Sequence, residues 1–246
     1  MKIGLLVAGP LPEELVKQFG TFDDMFKALL IKQEPSLTFA SYDVYEDNFP
    51  ADAKDCDGWI VTGSLHSAYE KLPWMLRLET FIREAISTGQ PTIGICFGHQ
   101  IMATAMGGVV QKAPSGKWGA AVHTYKMSLN GKERPAWMNG DGETFALQAS
   151  HQDQVTVLPE SGCLIAGNEF CPNGMIAYGK AGLSLQLHPE LSSGIVETML
   201  HKRRGTAMTE QDADVALSHV NDPVDANRVA QWMMLFFHQS WDRTPA

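Results

Sequence analysis

Long apolar runs are missing from this chain: nothing in its 246 residues approaches the roughly 18 consecutive apolar positions that a membrane-spanning helix requires. The apolar start, residues 2–8, is too short for a signal peptide. It runs into Pro10-Leu11-Pro12-Glu13, which is no cleavage site, so it reads as a first strand. Cysteine is scarce. Cys56, Cys96, Cys163 and Cys171 form no C-x-x-C pair and have no metal-ligand spacing with histidine, so no metal site is expected. A reducing, cytoplasmic setting is expected, and it keeps a reactive thiol usable. Basic residues are also few: 19 Lys and Arg stand against 28 Asp and Glu, a net charge of -9. That balance argues against nucleic acid or an anionic membrane as partner. Lys202-Arg203-Arg204 reads as a charge set at a helix C-terminus. There is no Gly-rich phosphate loop, no repeat and no low-complexity tract, and no cofactor is expected.

The stretch Pro91 to Gly107, PTIGICFGHQIMATAMG, is what the chain does have. A short β-branched apolar run reads as a buried strand, and Gln100 to Met106 reads as a helix closed by Gly107-Gly108. Between them Gly94-Ile95-Cys96-Phe97-Gly98 has the spacing of a nucleophile elbow. Such a turn strains the central residue and needs neighbours almost without side chains. It sets the sulfur beside a helix N-terminus, where unpaired N–H groups favour thiolate. The competing reading is a buried core cysteine between two packing glycines.

A cysteine nucleophile needs a base, and the base needs an orienting acceptor. Leu183-Ser184-Leu185-Gln186-Leu187 alternates as a strand does, and His188-Pro189-Glu190 follows at once. His188 is suited to take the thiol proton and Glu190 to hold the other ring nitrogen. Two residues apart on extended backbone, they point to one side, and Pro189 stiffens the pair. In an elbow, the residue after the nucleophile donates one oxyanion hydrogen bond, here from Phe97.

These two motifs resemble the triad of class I glutamine amidotransferases. Thr62-Gly63-Ser64 after one strand, and Ser150-His151-Gln152-Asp153 after another, look most like the amidotransferase domain of GMP synthase and its stand-alone relatives, among them γ-glutamyl peptidases. The resemblance spans roughly residues 1–200. It implies a catalytic triad of Cys96, His188 and Glu190, and Gly63 beside Phe97 as oxyanion donor. It implies Ser64, Gln100, Ser150, His151 and Asp153 around the substrate's amino-acid end, with Asp153 facing the ammonium or capping a turn. Gly116-Lys117-Trp118-Gly119 also resembles a segment near the site. His99 is expected to be structural, and His66 and Tyr69 to line the pocket mouth. Two features depart from the family: many members carry Gly-Gly-Pro where this chain has Thr62-Gly63-Ser64, and no synthetase domain follows.

Strands and helices alternate through residue 107, which predicts a mainly parallel sheet with helices on both faces. Helices are expected at 22–33 and 73–88, with strands at 37–45 and 57–63. Residues 109–187 hold short strands between turn residues and read as a small antiparallel addition. Helices are expected again at 195–204, 209–218 and 225–241, the last with Val229, Trp232, Met233, Phe236 and Phe237 on one face. The expected fold is therefore α/β, a flavodoxin-like three-layer sandwich with a C-terminal helical extension. Residues 1–200 form the amidotransferase-like domain, and 201–246 a helical accessory packed on it. The expected activity is hydrolysis of glutamine or a γ-glutamyl amide through a thioester on Cys96. The alternatives are a glutaminase subunit that feeds ammonia to a separate synthetase chain, a catalytically silent regulatory homologue, and a redox sensor using Cys96.

Overall fold

The computed structural model describes residues 1–129, 133–140 and 142–241. The first half runs β1 (Lys2–Val7), α1 (Glu13–Phe19), α2 (Phe22–Ile31), β2 (Thr38–Asp43), β3 (Gly58–Val61), α3 (Pro73–Ser87), β4 (Thr92–Ile95) and α4 (Phe97–Ala105). Then come β5 (Val109–Lys112), β6 (Gly119–Met127), β7 (Thr144–His151), β8 (Asp153–Val157), β9 (Gly162–Gly167), β10 (Met175–Tyr178) and β11 (Gly182–Leu185). The chain closes with α5 (Ser193–Arg203), α6 (Glu210–His219) and α7 (Ala226–Trp241). Local chemistry sets several of these starts. Thr21 and Asp24 make a reciprocal capping box at α2, Pro73 opens α3, and Thr209 caps α6 through the Asp212 amide. The seven-residue α1 was not expected. It is too short to show periodicity, but Glu13 and Glu14 sit favourably in its first turn.

Nine strands form one sheet in the order β2-β1-β3-β4-β11-β10-β9-β6-β7. Neighbours from β2 through β11 pair in parallel. From β11 through β7 they pair antiparallel. The antiparallel addition continues the main sheet, and among the described residues only β5 and β8 pair apart from it. β1 is apolar on both faces because both are covered. Ile3 and Leu5 pack toward Phe26 and Leu30 of α2 and Phe237 of α7. Leu6 packs toward Trp59 and the α3 residues Met75 and Leu78. A third cluster, built from α1, α5 and α6, lies around Leu15, Ile195, Val196, Met199 and Ala213.

The aromatic stripe of α7 is core: Val229, Trp232, Met233, Phe236 and Phe237 are all buried. Of the C-terminal segment 201–246, residues 242–246 lie outside the described residues. Among the described residues no helix is long and apolar enough to cross a membrane.

Candidate active site

β4 and α4 follow each other with Cys96 as the hinge, at φ 54° and ψ -102°. A residue with a Cβ holds that conformation only when its surroundings enforce it. The surroundings are backbone. A Cβ on Gly94 would lie 2.4 Å from the Gly98 carbonyl oxygen, and one on Gly98 would lie 2.2 Å from the Val61 carbonyl oxygen. The Gly98 N–H donates to the Thr62 carbonyl at 3.1 Å, which clamps the turn against the end of β3.

Strand register decides which residues meet there. β11 pairs with β4 so that Leu185 faces Ile95, and the Cys96 N–H donates to the Leu185 carbonyl at 2.9 Å. The residues just beyond β11 therefore emerge beside Cys96. β3 pairs on the other side of β4, with Val61 opposite Gly94, so Thr62-Gly63 emerges there as well. These are the carboxyl ends of parallel strands, where open α/β sheets bind ligands.

His188 lies between the two halves of the sheet, its N–H donating to the Gln148 carbonyl of β7 at 2.9 Å. Its Nδ1 donates to Glu190 Oε1 at 2.7 Å, and both side chains are buried. That leaves Nε2 free of Glu190, on a ring that lines the same cleft as Cys96. Burial opposes a charge on the ring, but Glu190 and then Cys96 outweigh it and raise His188 from 6.5 to about 10. A Cβ on Gly63 would lie 3.3 Å from His188 Cε1, so the oxyanion segment borders the same ring. Gln186 Nε2 approaches Cys96 Sγ at 3.5 Å.

A cleft of about 260 Å³ opens over Cys96 and His188. It is lined by Ser64, Phe97, Gln100, Ser150, His151 and Asp153, so nearly all the expected site residues border one space. Gly63 is not in the lining but abuts the His188 ring, and Glu190 stands behind that ring on Nδ1. Several of the lining groups already have partners. Ser64 donates its hydroxyl to the Ala8 carbonyl at 2.8 Å. Gln100 Nε2 donates to the Asp153 carbonyl at 2.9 Å. The Asp153 carboxylate accepts from Ser67 at 2.5 Å and from Tyr69 at 3.2 Å. His151 Nδ1 donates to the Asp153 carbonyl at 3.0 Å, and burial draws its pKa down to about 3. His66 reaches the mouth of the cleft. His99 is buried against the Ser184 hydroxyl at 2.7 Å and away from the cleft, as a structural histidine is. Of the other cysteines, burial pushes Cys56 up to about 11 and Cys171 up to about 12.

Several cleft residues were not singled out from the sequence, among them Leu11, Leu65, Ser67, Lys112, Leu191 and Arg203. Arg203 left a readable trace. Ile195, Val196, Met199 and Leu200 mark the buried face of α5, and position 203 falls on that face by the helical repeat. Lys202 and Arg203 do lie in the last turn of α5, with Arg204 at its C-cap, as a helix C-terminal charge set. Lys202 pairs with Glu14, and Arg204 pairs with Asp214 at 2.8 Å, but Arg203 turns inward.

A strained cysteine elbow facing a His–Glu pair at the carboxyl edge of a flavodoxin-like α/β sheet defines a class of protein. The chain belongs to that class, the glutamine amidotransferase class-I family, whose model matches residues 20–205. A glutamine amidotransferase-like protein of Schizosaccharomyces pombe is 29% identical over 247 residues, covering 95% of this chain and 97% of the relative. Gamma-glutamyl peptidase 4 of Arabidopsis thaliana is 30% identical over 201 residues, covering 78% of this chain and 76% of the relative. The crystal structure of a glutamine amidotransferase from Thermotoga maritima shares the fold, with a TM-score of 0.68 at 17% identity over 96% of each chain.

Proposed function

We propose that the chain is a cysteine-dependent hydrolase of γ-glutamyl amides, with Cys96 as nucleophile, His188 as proton carrier and Glu190 as its orienting acceptor. One observation carries the reading. Strained Cys96 shares one cleft with a histidine whose Nδ1 is held by a buried carboxylate. His188, its ring held by Glu190, accepts the thiol proton as Sγ attacks the δ-carbonyl carbon. The Phe97 and Gly63 amides stabilise the tetrahedral oxyanion. Collapse of the intermediate breaks the C–N bond, and His188 returns the proton to the departing amine. Water, deprotonated by His188, then cleaves the γ-glutamyl thioester. Glutamate leaves and the thiol is restored.

Asp153 holds the substrate ammonium, kept in place by Ser67, Tyr69 and the Gln100–Asp153 carbonyl bond. Ser64, Ser150 and His151 complete the wall around the amino-acid end. The γ-glutamyl peptidase relative, matched over most of its length, favours a peptide-like γ-glutamyl amide over glutamine that serves an ammonia acceptor.

The purified chain, given glutamine and a panel of γ-glutamyl dipeptides, is expected to release glutamate, and Cys96→Ala and His188→Ala to abolish that release. Background release by wild type that rises only when a synthetase is added would replace this reading with that of an ammonia-supplying subunit. Release unaffected by Cys96→Ala would overturn it altogether.

A further inference from the structure

Arg203 closes one wall of the cleft that also contains Cys96 and Asp153. Its guanidinium lies over the Trp118 ring, 4.1 Å from the centroid, and Nη1 donates to the Ser150 hydroxyl at 2.8 Å. The Trp118 indole N–H is in turn fixed on the Ala207 carbonyl at 3.1 Å. Stacking on one face and a hydroxyl at one nitrogen hold the planar fork in a set orientation with further N–H donors to offer. Lys202 and Arg204, its chain neighbours, have acidic partners. Among the described residues Arg203 makes no ion pair. Burial draws it from 12.5 to about 10, and the Cys96 sulfur is the group that pulls the other way. A guanidinium with part of its water removed and no counter-ion stands where an anionic ligand group would complete it.

We infer that Arg203 binds the α-carboxylate of the γ-glutamyl substrate, while Trp118 and Ser150 hold the guanidinium in place. The inference rests on the proposed γ-glutamyl chemistry. Such a substrate carries a cation and an anion on one carbon, and the cleft offers Asp153 and Arg203 to receive them. The reacting carbonyl lies at the other end of the same short chain. Arg203 therefore sets which carbonyl reaches Cys96, and an amide without the free α-carboxylate is rejected.

The test compares L-γ-glutamyl-p-nitroanilide with its α-carboxamide. Neither leaving group carries a carboxylate, so only the α-position differs. Wild type is expected to favour the free acid by about 100-fold in kcat/KM. Arg203→Gln should raise KM for the free acid about 100-fold, leave the carboxamide's KM unchanged and erase the preference. Arg203→Lys should restore part of it. Both variants should unfold thermally no earlier than wild type. A structural role, or one acting on the Cys96 thiol, would instead lower turnover of both substrates equally and shift the pH profile of Cys96 alkylation. Either result overturns the inference. Calorimetric titration of L-glutamate into Cys96→Ala, and into Cys96→Ala/Arg203→Gln, separates the inference from the hydrolase reading. Arg203-dependent binding without any turnover by wild type would sink the hydrolase reading alone. Turnover and glutamate binding both indifferent to Arg203 would sink the inference alone.

Discussion

Three influences compete at His188: burial, which disfavours its charge, and Glu190 and Cys96, which favour it and prevail. The sign of the pH effect follows. A folded-state pKa raised from 6.5 to about 10 adds stability that is complete below pH 6.5 and fades as pH climbs through 10. Glu190→Gln should therefore destabilise the fold by about 1.5–3 kcal/mol at pH 6, the worth of a hydrogen bond to a charged group. Urea unfolding at pH 6 and pH 9.5 checks this, and a gap that widens at the higher pH would contradict it. Three of the four thiols separate as well. Burial raises Cys56 and Cys171 to about 11 and 12, out of reach at neutral pH, whereas Cys96 lines the open cleft. Brief iodoacetamide treatment of the native protein at pH 7.5 should label Cys96 and leave Cys56 and Cys171 untouched, as read by peptide mass spectrometry.

The β4–Cys96–α4 turn is a backbone-to-backbone construction. Gly98→Ala would bring a methyl to 2.2 Å from the Val61 carbonyl, where nothing flexible can yield. We expect a loss of about 1–3 kcal/mol, the usual cost of overpacking, together with loss of turnover as Cys96 shifts. A Gly98→Ala protein that unfolds and turns over like wild type would show that the turn tolerates displacement. α7 makes a different contribution. Trp232, edge-to-face with Phe145 of β7 at 5.4 Å, and the buried Phe237 cover the sheet face opposite α3 and α4. Trp232→Ala should cost about 3–5 kcal/mol and leave KM unchanged in the folded protein.

The segment from residue 201 onward crosses the boundary between scaffold and site. Arg203 lies in the cleft wall, α6 packs on β6, and α7 packs on α2. We propose that this segment folds as one unit with the preceding residues. Far-UV circular dichroism and tryptophan fluorescence should then report one coincident unfolding transition. An earlier separate transition for the C-terminal helices would contradict that arrangement.

The sequence alone determined the parts whose geometry is local. The elbow, the His188-Pro189-Glu190 step, the capped helices and the strand-helix alternation each need only a few consecutive residues in a set spacing. Tertiary structure decided what those parts meet. Cys96 and His188 come together because β11 inserts between β4 and β10 in a particular register, and no spacing in the chain encodes that register. The alternation in Leu183 to Leu187 reads as a strand and leaves its polar partners open; Ser184 and Gln186 are fully buried, bonded to His99 and Gln100. Asp153 reads as a cap or a ligand, and Ser67 and Tyr69, more than eighty residues earlier, take up its oxygens. Arg203 reads as part of a charge set at a helix C-terminus, and the packing of α5 turns it into the cleft. A polar side chain declares its type in the sequence, but its partner depends on which face the fold covers.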